Sequence, residues 1–271
     1  MIAKFTGTED GKRELMRIWL EGNRQAHDFI SEEYWLSHFD QVGEALSSAD
    51  VFICQEEGKL RGFAGMTGDY LAGIFVDSRC RCQGTGRALL NAVKEKYSAF
   101  TLQVYVKNRR AVDFYLREGL SVVKKMIDLD TGQWEYLMLW AADPSERLYR
   151  TATAVVGPMK LGESGEAGQV ACAAESEDGR IYTGVCIDLP CSLGFCAEQA
   201  AAAQMLRDGQ TKIKRIVAVT EEGSILPPCG RCREFLYQID EGNLDAIVML
   251  PGKREARLKE LLPERWNEVS V

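Results

Sequence analysis

"GFCAEQAAAA" (Gly194–Ala203) and, further along the chain, "PPCGRCREF" (Pro227–Phe235) decide how the C-terminal half folds. The first runs into an alanine-rich segment of high helix propensity, and the second leads into an amphipathic run, so each reads as a helix start. A helix N-terminus offers unpaired N–H groups and the positive end of the dipole. Cysteines placed there are easily held as thiolates, the form that binds a metal. If the two helices pack side by side on one sheet, Cys196, Cys229 and Cys232 converge. Glu198 then comes within reach of a water at the fourth, open position of a tetrahedral ion. A structural four-cysteine site recruiting Cys191 or Cys186, or a set of plain buried thiols, are the alternatives.

Working outward, "GQVACAAE" and "IYTGVCID" read as a hairpin around "DGR". Helix "CAEQAAAAQML", strand "IKRIVAV", helix "CGRCREFLYQI", strand "DAIVML" and a last helix near "REARLKELL" follow, a βαβαβ layout. With Cys196-Ala197-Glu198 and Pro228-Cys229-Gly230-Arg231-Cys232, this half resembles the zinc-dependent cytidine deaminase superfamily. "KELLPERW" (Lys259–Trp266) is similar to that family's C-terminal segment. The resemblance implies a three-layer α/β/α fold, Zn2+ held by Cys196, Cys229 and Cys232, and Glu198 moving protons in hydrolytic deamination. It also implies homo-oligomers formed through this domain. Two departures bear on the substrate: Cys186-Ile187-Asp188 stands where cytidine deaminases carry Asn-x-Glu, and Gln199 stands where they carry arginine. "PCGRCR" together with "LLP" resembles the blasticidin S deaminase branch, which implies a cytosine-bearing compound other than plain cytidine.

Upstream, the strand-like "EYLMLWA" ends before Asp143-Pro144, which resists continuation, and Ser145 is suited to cap a helix. The reading is therefore two α/β domains, 1–142 and 143–271, with no long Gly/Ser linker. In the first, helices are expected over Gly11–Phe29 and Ser31–Ser48, then a hairpin, a third strand and further alternation of helix and strand. "VDSRCRCQGTGRALL" (Val76–Leu90) runs strand, glycine-rich loop, helix, where backbone N–H groups and the dipole favour a pyrophosphate. The G-x-G-x-x-G spacing of a dinucleotide site is not supplied.

Arg81-x-x-Gly84-x-Gly86, followed by Asn108 and "RRAVDFYLREGL", resembles the two signature motifs of the GNAT N-acetyltransferases. The resemblance implies a mixed-sheet GNAT fold and acetyl-CoA as cofactor. Its pyrophosphate would lie on Arg81, Cys82, Gln83, Gly84, Thr85, Gly86 and Arg87, and its pantetheine along Ile74, Phe75 and Val76. Asn108 would touch the cofactor, and Tyr115 would protonate the leaving thiolate as general acid. "HDFI" (His27–Ile30) resembles a bacterial subgroup acting on lysine amines; His27 is either a base or a helix-end cap.

The 271 residues, 46% hydrophobic and 27% charged, suit a soluble globular chain with room for two cores. Net charge is −7 with no basic block, which argues against nucleic acid as a partner. The N-terminus lacks an apolar h-region and no run approaches a membrane span, so the expectation is a cytoplasmic protein without membrane contact, acting on small molecules. Nine cysteines without a secretory signal point to metal or catalysis rather than disulfides. The expected activity is bifunctional, acetyl transfer plus deamination. The competing reading makes one domain a binding or regulatory module that senses acetyl-CoA or holds a structural zinc.

Overall fold

The computed structural model describes residues 1–265 and residue 267. The chain forms two compact units, Met1–Asp143 and one beginning at Pro144.

In the first unit, strand β1 (Ile2–Lys4) leads to helices α1 (Glu9–Ala26), α2 (Glu32–Ser37) and α3 (Phe39–Ser48). Strands β2 (Asp50–Glu56), β3 (Lys59–Thr67) and β4 (Tyr70–Val76) form an antiparallel run, followed by helix α4 (Thr85–Lys96) and strand β5 (Ala99–Tyr105). Helix α5 (Arg109–Arg117) and strands β6 (Ser121–Ile127) and β7 (Trp134–Ala141) complete the sheet, ordered β1-β2-β3-β4-β5-β7-β6. Thr8 and Ser31 start α1 and α2 by accepting the N–H groups of Gly11 and Tyr34. One face of the sheet packs Leu89, Leu90 and Val93 of α4 against Ala64, Phe100 and Leu102. The other packs Leu15, Ile18 and Trp19 of α1 against Trp35, Ile53 and Phe63.

The segment read as one helix over Ser31–Ser48 is divided at His38, which ends α2 and begins α3. The division lets both Trp35 and Phe39 meet Trp19 edge-on, so aromatic burial overrides helical continuity.

In the second unit, helix α6 (Pro144–Val155) precedes strands β8 (Met159–Leu161), β9 (Gly165–Ser176) and β10 (Ile181–Asp188). Helix α7 (Ala197–Arg207), strands β11 (Ile213–Thr220) and β12 (Ile225–Leu226), helix α8 (Gly230–Ile239) and strand β13 (Ile247–Leu250) follow. The main sheet runs β10-β9-β11-β13-β14, where β14 is Arg254–Arg257, and β11 and β13 are parallel. Leu148 and Ala152 of α6 pack on one face with Val217, Val219 and Met249. Ala197, Ala201 and Met205 of α7 and Leu236 of α8 pack on the other with Cys172 and Ala174. This is a three-layer α/β/α unit.

The last helix expected near "REARLKELL" is corrected: Arg254–Arg257 is an antiparallel strand on β13, and only Leu258–Leu261 (α9) is helical. The ladder from Leu250↔Arg254 to Ile247↔Arg257 occupies the backbone groups along that side of β13, so pairing outweighs local helix preference. The segment similar to the deaminase terminus reaches Trp266, which lies outside the described residues.

Candidate active sites

In the first unit, parallel strands β4 and β5 meet only at Tyr70↔Thr101, where the Thr101 N–H donates to the Asp69 carbonyl at 2.9 Å. Beyond that point β4 continues on β3 alone, through Ala64↔Ile74, Phe63↔Phe75 and Gly62↔Val76. A fork opens between β4 and β5, holding a cavity of about 1080 Å³. Ile74, Phe75 and Val76 form one wall, and Arg81, Cys82, Gly84, Thr85, Gly86 and Arg87 line the end where α4 begins. Asn108 and Tyr115 face the same space. Gln83 does not line it; its amide donates to the Arg79 carbonyl at 3.5 Å.

The loop is set by its backbone. Gly84, at the N-cap of α4, has φ of +83°, a value that penalises any Cβ. A Cβ at Gly86 would meet Phe114 at 3.6 Å and Val76 at 3.9 Å, ordinary contact, so the backbone alone does not require glycine there. Buried Asp77 anchors the loop by accepting from Arg79 and from Arg17 of α1, each at 2.6 Å, and these partners hold its carboxyl well below the usual range. Asp77 and Arg17 were not singled out from sequence, although an acid directly after an apolar strand is a visible signal.

Tyr115 is buried, and burial pushes its phenol well above the ordinary value, so it stays protonated. Asn108 caps α5: its Oδ1 accepts the Ala111 N–H at 3.2 Å, which turns Nδ2 toward His27 Nε2 at 3.1 Å. His27 is the C-cap of α1 and stacks on Trp35 with centroids 5.3 Å apart. Burial lowers its pKa to about 4. Residues not identified from sequence complete the far end of the cavity: Tyr70, Gln103, Asp128 and Glu135. A charged residue at an inward position of "QWEYLMLW" was the available sign of Glu135.

In the second unit, Cys196 is the N-cap of α7 and Cys229 the N-cap of α8, both with extended φ/ψ. Their sulfurs lie 3.7 Å apart, and with Cys232 Sγ all three fall within 4.8 Å of one another. Tetrahedral geometry with Zn–S bonds of about 2.3 Å requires neighbouring sulfurs about 3.8 Å apart. The donor set therefore fits a thiophilic tetrahedral ion, with three ligands and a fourth position to spare. Among the described residues, neither Cys186 nor Cys191 belongs to this group. Cys186 Sγ instead donates to Gln169 Oε1 at 3.4 Å and accepts the Val170 N–H at 3.3 Å.

Glu198, in the first turn of α7, is buried, and that burial pushes its carboxyl up. It lines a cavity of about 430 Å³ together with Cys196, Cys229 and Arg231. Phe195, Leu226 and Pro227 supply apolar wall, while Gln169, Cys186 and Asp188 stand elsewhere around the same cavity. Arg233 fastens the α8 start by donating to the carbonyls of Pro228 at 2.8 Å and Leu261 at 3.0 Å. Gly194 permits the close bridge between Phe195 and Ile187, since a Cβ there would lie 2.1 Å from the Ile187 carbonyl oxygen.

Known proteins resemble both units. The Acetyltransferase (GNAT) family model matches residues 12–120. Peptidyl-lysine N-acetyltransferase YiaC of Escherichia coli is 33% identical over 128 residues, covering 46% of this chain and 88% of that protein. A cytidine deaminase of Mycobacterium tuberculosis is 34% identical over 99 residues, covering 36% of this chain and 72% of that protein. The solution structure of YjaB from Escherichia coli superimposes with a TM-score of 0.47 at 25% identity, covering 53% of this chain and 99% of that one. The chain belongs to the acetyltransferase (GNAT) family through its first unit and to the cytidine deaminases through its second. Among the described residues, no helix is long and apolar enough to cross a membrane.

Proposed function

We propose that the chain is a bifunctional enzyme: an acetyl-CoA-dependent N-acetyltransferase joined to a zinc-dependent deaminase of a cytosine nucleoside or related amino-heterocycle. The observation that carries the deaminase reading is the convergence of three cysteine sulfurs beside a buried glutamate in a cavity wall. Cys196, Cys229 and Cys232 would hold Zn2+, which when bound supplies Lewis acidity and lowers the pKa of water. Glu198 holds and moves the proton at its carboxyl oxygens, while Phe195, Leu226 and Pro227 offer apolar surface to a planar base. Cys186 and Asp188 in place of an Asn-x-Glu pair favour a substrate whose sugar side differs from plain cytidine, the blasticidin-like reading.

In the first unit, the loop from Arg81 to Arg87 would receive the pyrophosphate of acetyl-CoA, and the unpaired side of Ile74–Val76 its pantetheine. Tyr115, kept protonated by burial, donates its phenolic proton to the departing thiolate. Relatives named for peptidyl-lysine acetylation support an alkyl primary amine as acceptor.

Metal analysis tests the deaminase half. Purified protein should carry about one zinc per chain. Glu198→Gln should keep the metal and lower deaminase turnover about 100-fold or more. Metal lost on Glu198→Gln, with Cys191→Ser equally damaging, would instead make the zinc structural.

A further inference from the structure

Resting on the acetyltransferase reading, we propose that Glu135 is the catalytic carboxylate that receives the acceptor's ammonium group and takes its proton, so that the first unit selects primary amines arriving as cations. Charge is spread unevenly over the cavity wall. Arg81, Arg87 and Arg110 stand around the loop and the start of α5, where the one acid, Glu118, is paired to Arg87 at 2.8 Å; Asp128 and Glu135 stand at the far end, and Lys107, which also lines the wall, lies over the Phe29 ring. The basic end suits an anionic cofactor, and the acidic end suits a cation.

Glu135 is 7% exposed, and among the described residues no lysine or arginine pairs with it. Its partner is Gln103, whose Nε2 donates to Glu135 Oε1 at 2.6 Å. A buried carboxylate without a counter-ion is costly, and a cation brought in by the substrate offsets that cost. Asp128 differs, because its oxygens already accept from Tyr105, Thr131 and the Asp130 N–H. Burial raises the Glu135 carboxyl, as does the nearby Asp128 charge, which improves its proton affinity.

With Glu135 ionised, Gln103 has one chemically consistent orientation. Its Oε1 accepts from Tyr70 OH at 3.0 Å and its amide faces the carboxylate, so the strand residues hold Glu135 Oε1 in place. Tyr70, Tyr115 and Glu135 line one cavity, so the proposed acid and base open on the same space. His27, the other candidate base, has its Nε2 lone pair committed to the Asn108 amide, and its Nδ1 is buried.

The step balances. The ammonium N–H bond breaks and its proton passes to Glu135. The freed lone pair forms the C–N bond as the thioester C–S bond breaks, and the thiolate takes the Tyr115 proton. The new amide nitrogen loses its extra proton to the Tyr115 phenolate, and Glu135 releases its proton to solvent, so one proton is released per acetyl transferred.

The test uses the full chain with acetyl-CoA and three cationic probes: a blocked peptide with one central lysine, spermidine, and glucosamine. Wild type should acetylate at least one, and Glu135→Gln should lower kcat/KM for that probe 100-fold or more with the Kd for acetyl-CoA within twofold. Should Glu135→Gln fail to fold, Glu135→Asp keeps the charge but shortens its reach, and at least a tenfold loss is expected. A loss below tenfold in the folded variant overturns the proposal, as does a wild type that binds acetyl-CoA but acetylates none of the probes. A wild type with no affinity for acetyl-CoA overturns the acetyltransferase reading beneath it instead.

Discussion

Asn108 shows how one side chain sets the protonation of another. Its oxygen is committed to the Ala111 N–H, so its amide must face His27, and a proton on His27 Nε2 would bring two donors together. Together with burial, this keeps the ring neutral, with its proton on Nδ1. The folded-state pKa of about 4 lies below the 6.5 of a free imidazole. As pH falls, the unfolded chain therefore binds the proton first, and stability drops between about 6.5 and about 4 before levelling off. Asn108→Asp preserves the cap and puts a carboxylate against Nε2; His27 should then titrate 1–3 units higher. With only His27 and His38 in the chain, ring-proton NMR resolves both curves. A wild-type His27 titrating near 6.5 would refute the tautomer assignment. At this scale the cysteines were legible, because Cys-x-Glu and Cys-x-x-Cys at helix starts specify both residue type and direction. Glu135 was not, because its meaning depends on Gln103 and Tyr70, which only the paired strands bring beside it.

Among elements, helix α7 carries Cys196 at its cap and Glu198 in its first turn, so the position of this helix fixes both groups. It lies directly on β10 through small residues. A Cβ on Gly184 would fall 2.3 Å from the Ala201 nitrogen and 2.7 Å from the Ala197 carbonyl oxygen, both backbone atoms that cannot swing aside. Gly184→Ala should therefore push α7 outward, lowering stability by about 1–3 kcal/mol and, with zinc held as proposed above, reducing the bound metal well below that of wild type. Calorimetry and metal analysis of the same sample check this; unchanged zinc content would show that the thiol cluster tolerates movement of the helix. The alanine run of "CAEQAAAA" signalled a helix and, with hindsight, its closeness to the sheet. The strand Arg254–Arg257 was illegible for the opposite reason: its residues are charged, and only the open side of β13 makes them a strand. The break at His38 was similarly hidden, since each side of it has good helical composition and only the packing of Trp19 on Trp35 and Phe39 requires the turn.

For the whole molecule, the question is why an acetyltransferase and a deaminase share one chain. On the function proposed above, the first takes an amine as acceptor, and the second removes an exocyclic amine from a heterocycle. A cytosine nucleoside that also bears a free alkyl amine, on an aminoacyl or aminosugar group, offers one substrate to each unit. Cys186 and Asp188 in place of the Asn-x-Glu pair accord with an altered sugar side, and the acidic end of the first cavity accords with a cationic amine. On this hypothesis the chain detoxifies such a compound at two positions. Expressed in a sensitive host, it should raise tolerance to an aminoacyl cytosine nucleoside antibiotic. Glu198→Gln and Tyr115→Phe should each remove part of that protection, and the double variant should remove all of it. Mass spectrometry of the treated compound should show a gain of one acetyl group and, separately, the exchange of an amine for an oxygen. If ammonia is released only from cytidine or deoxycytidine, the shared-substrate idea fails and the second unit belongs to ordinary pyrimidine salvage.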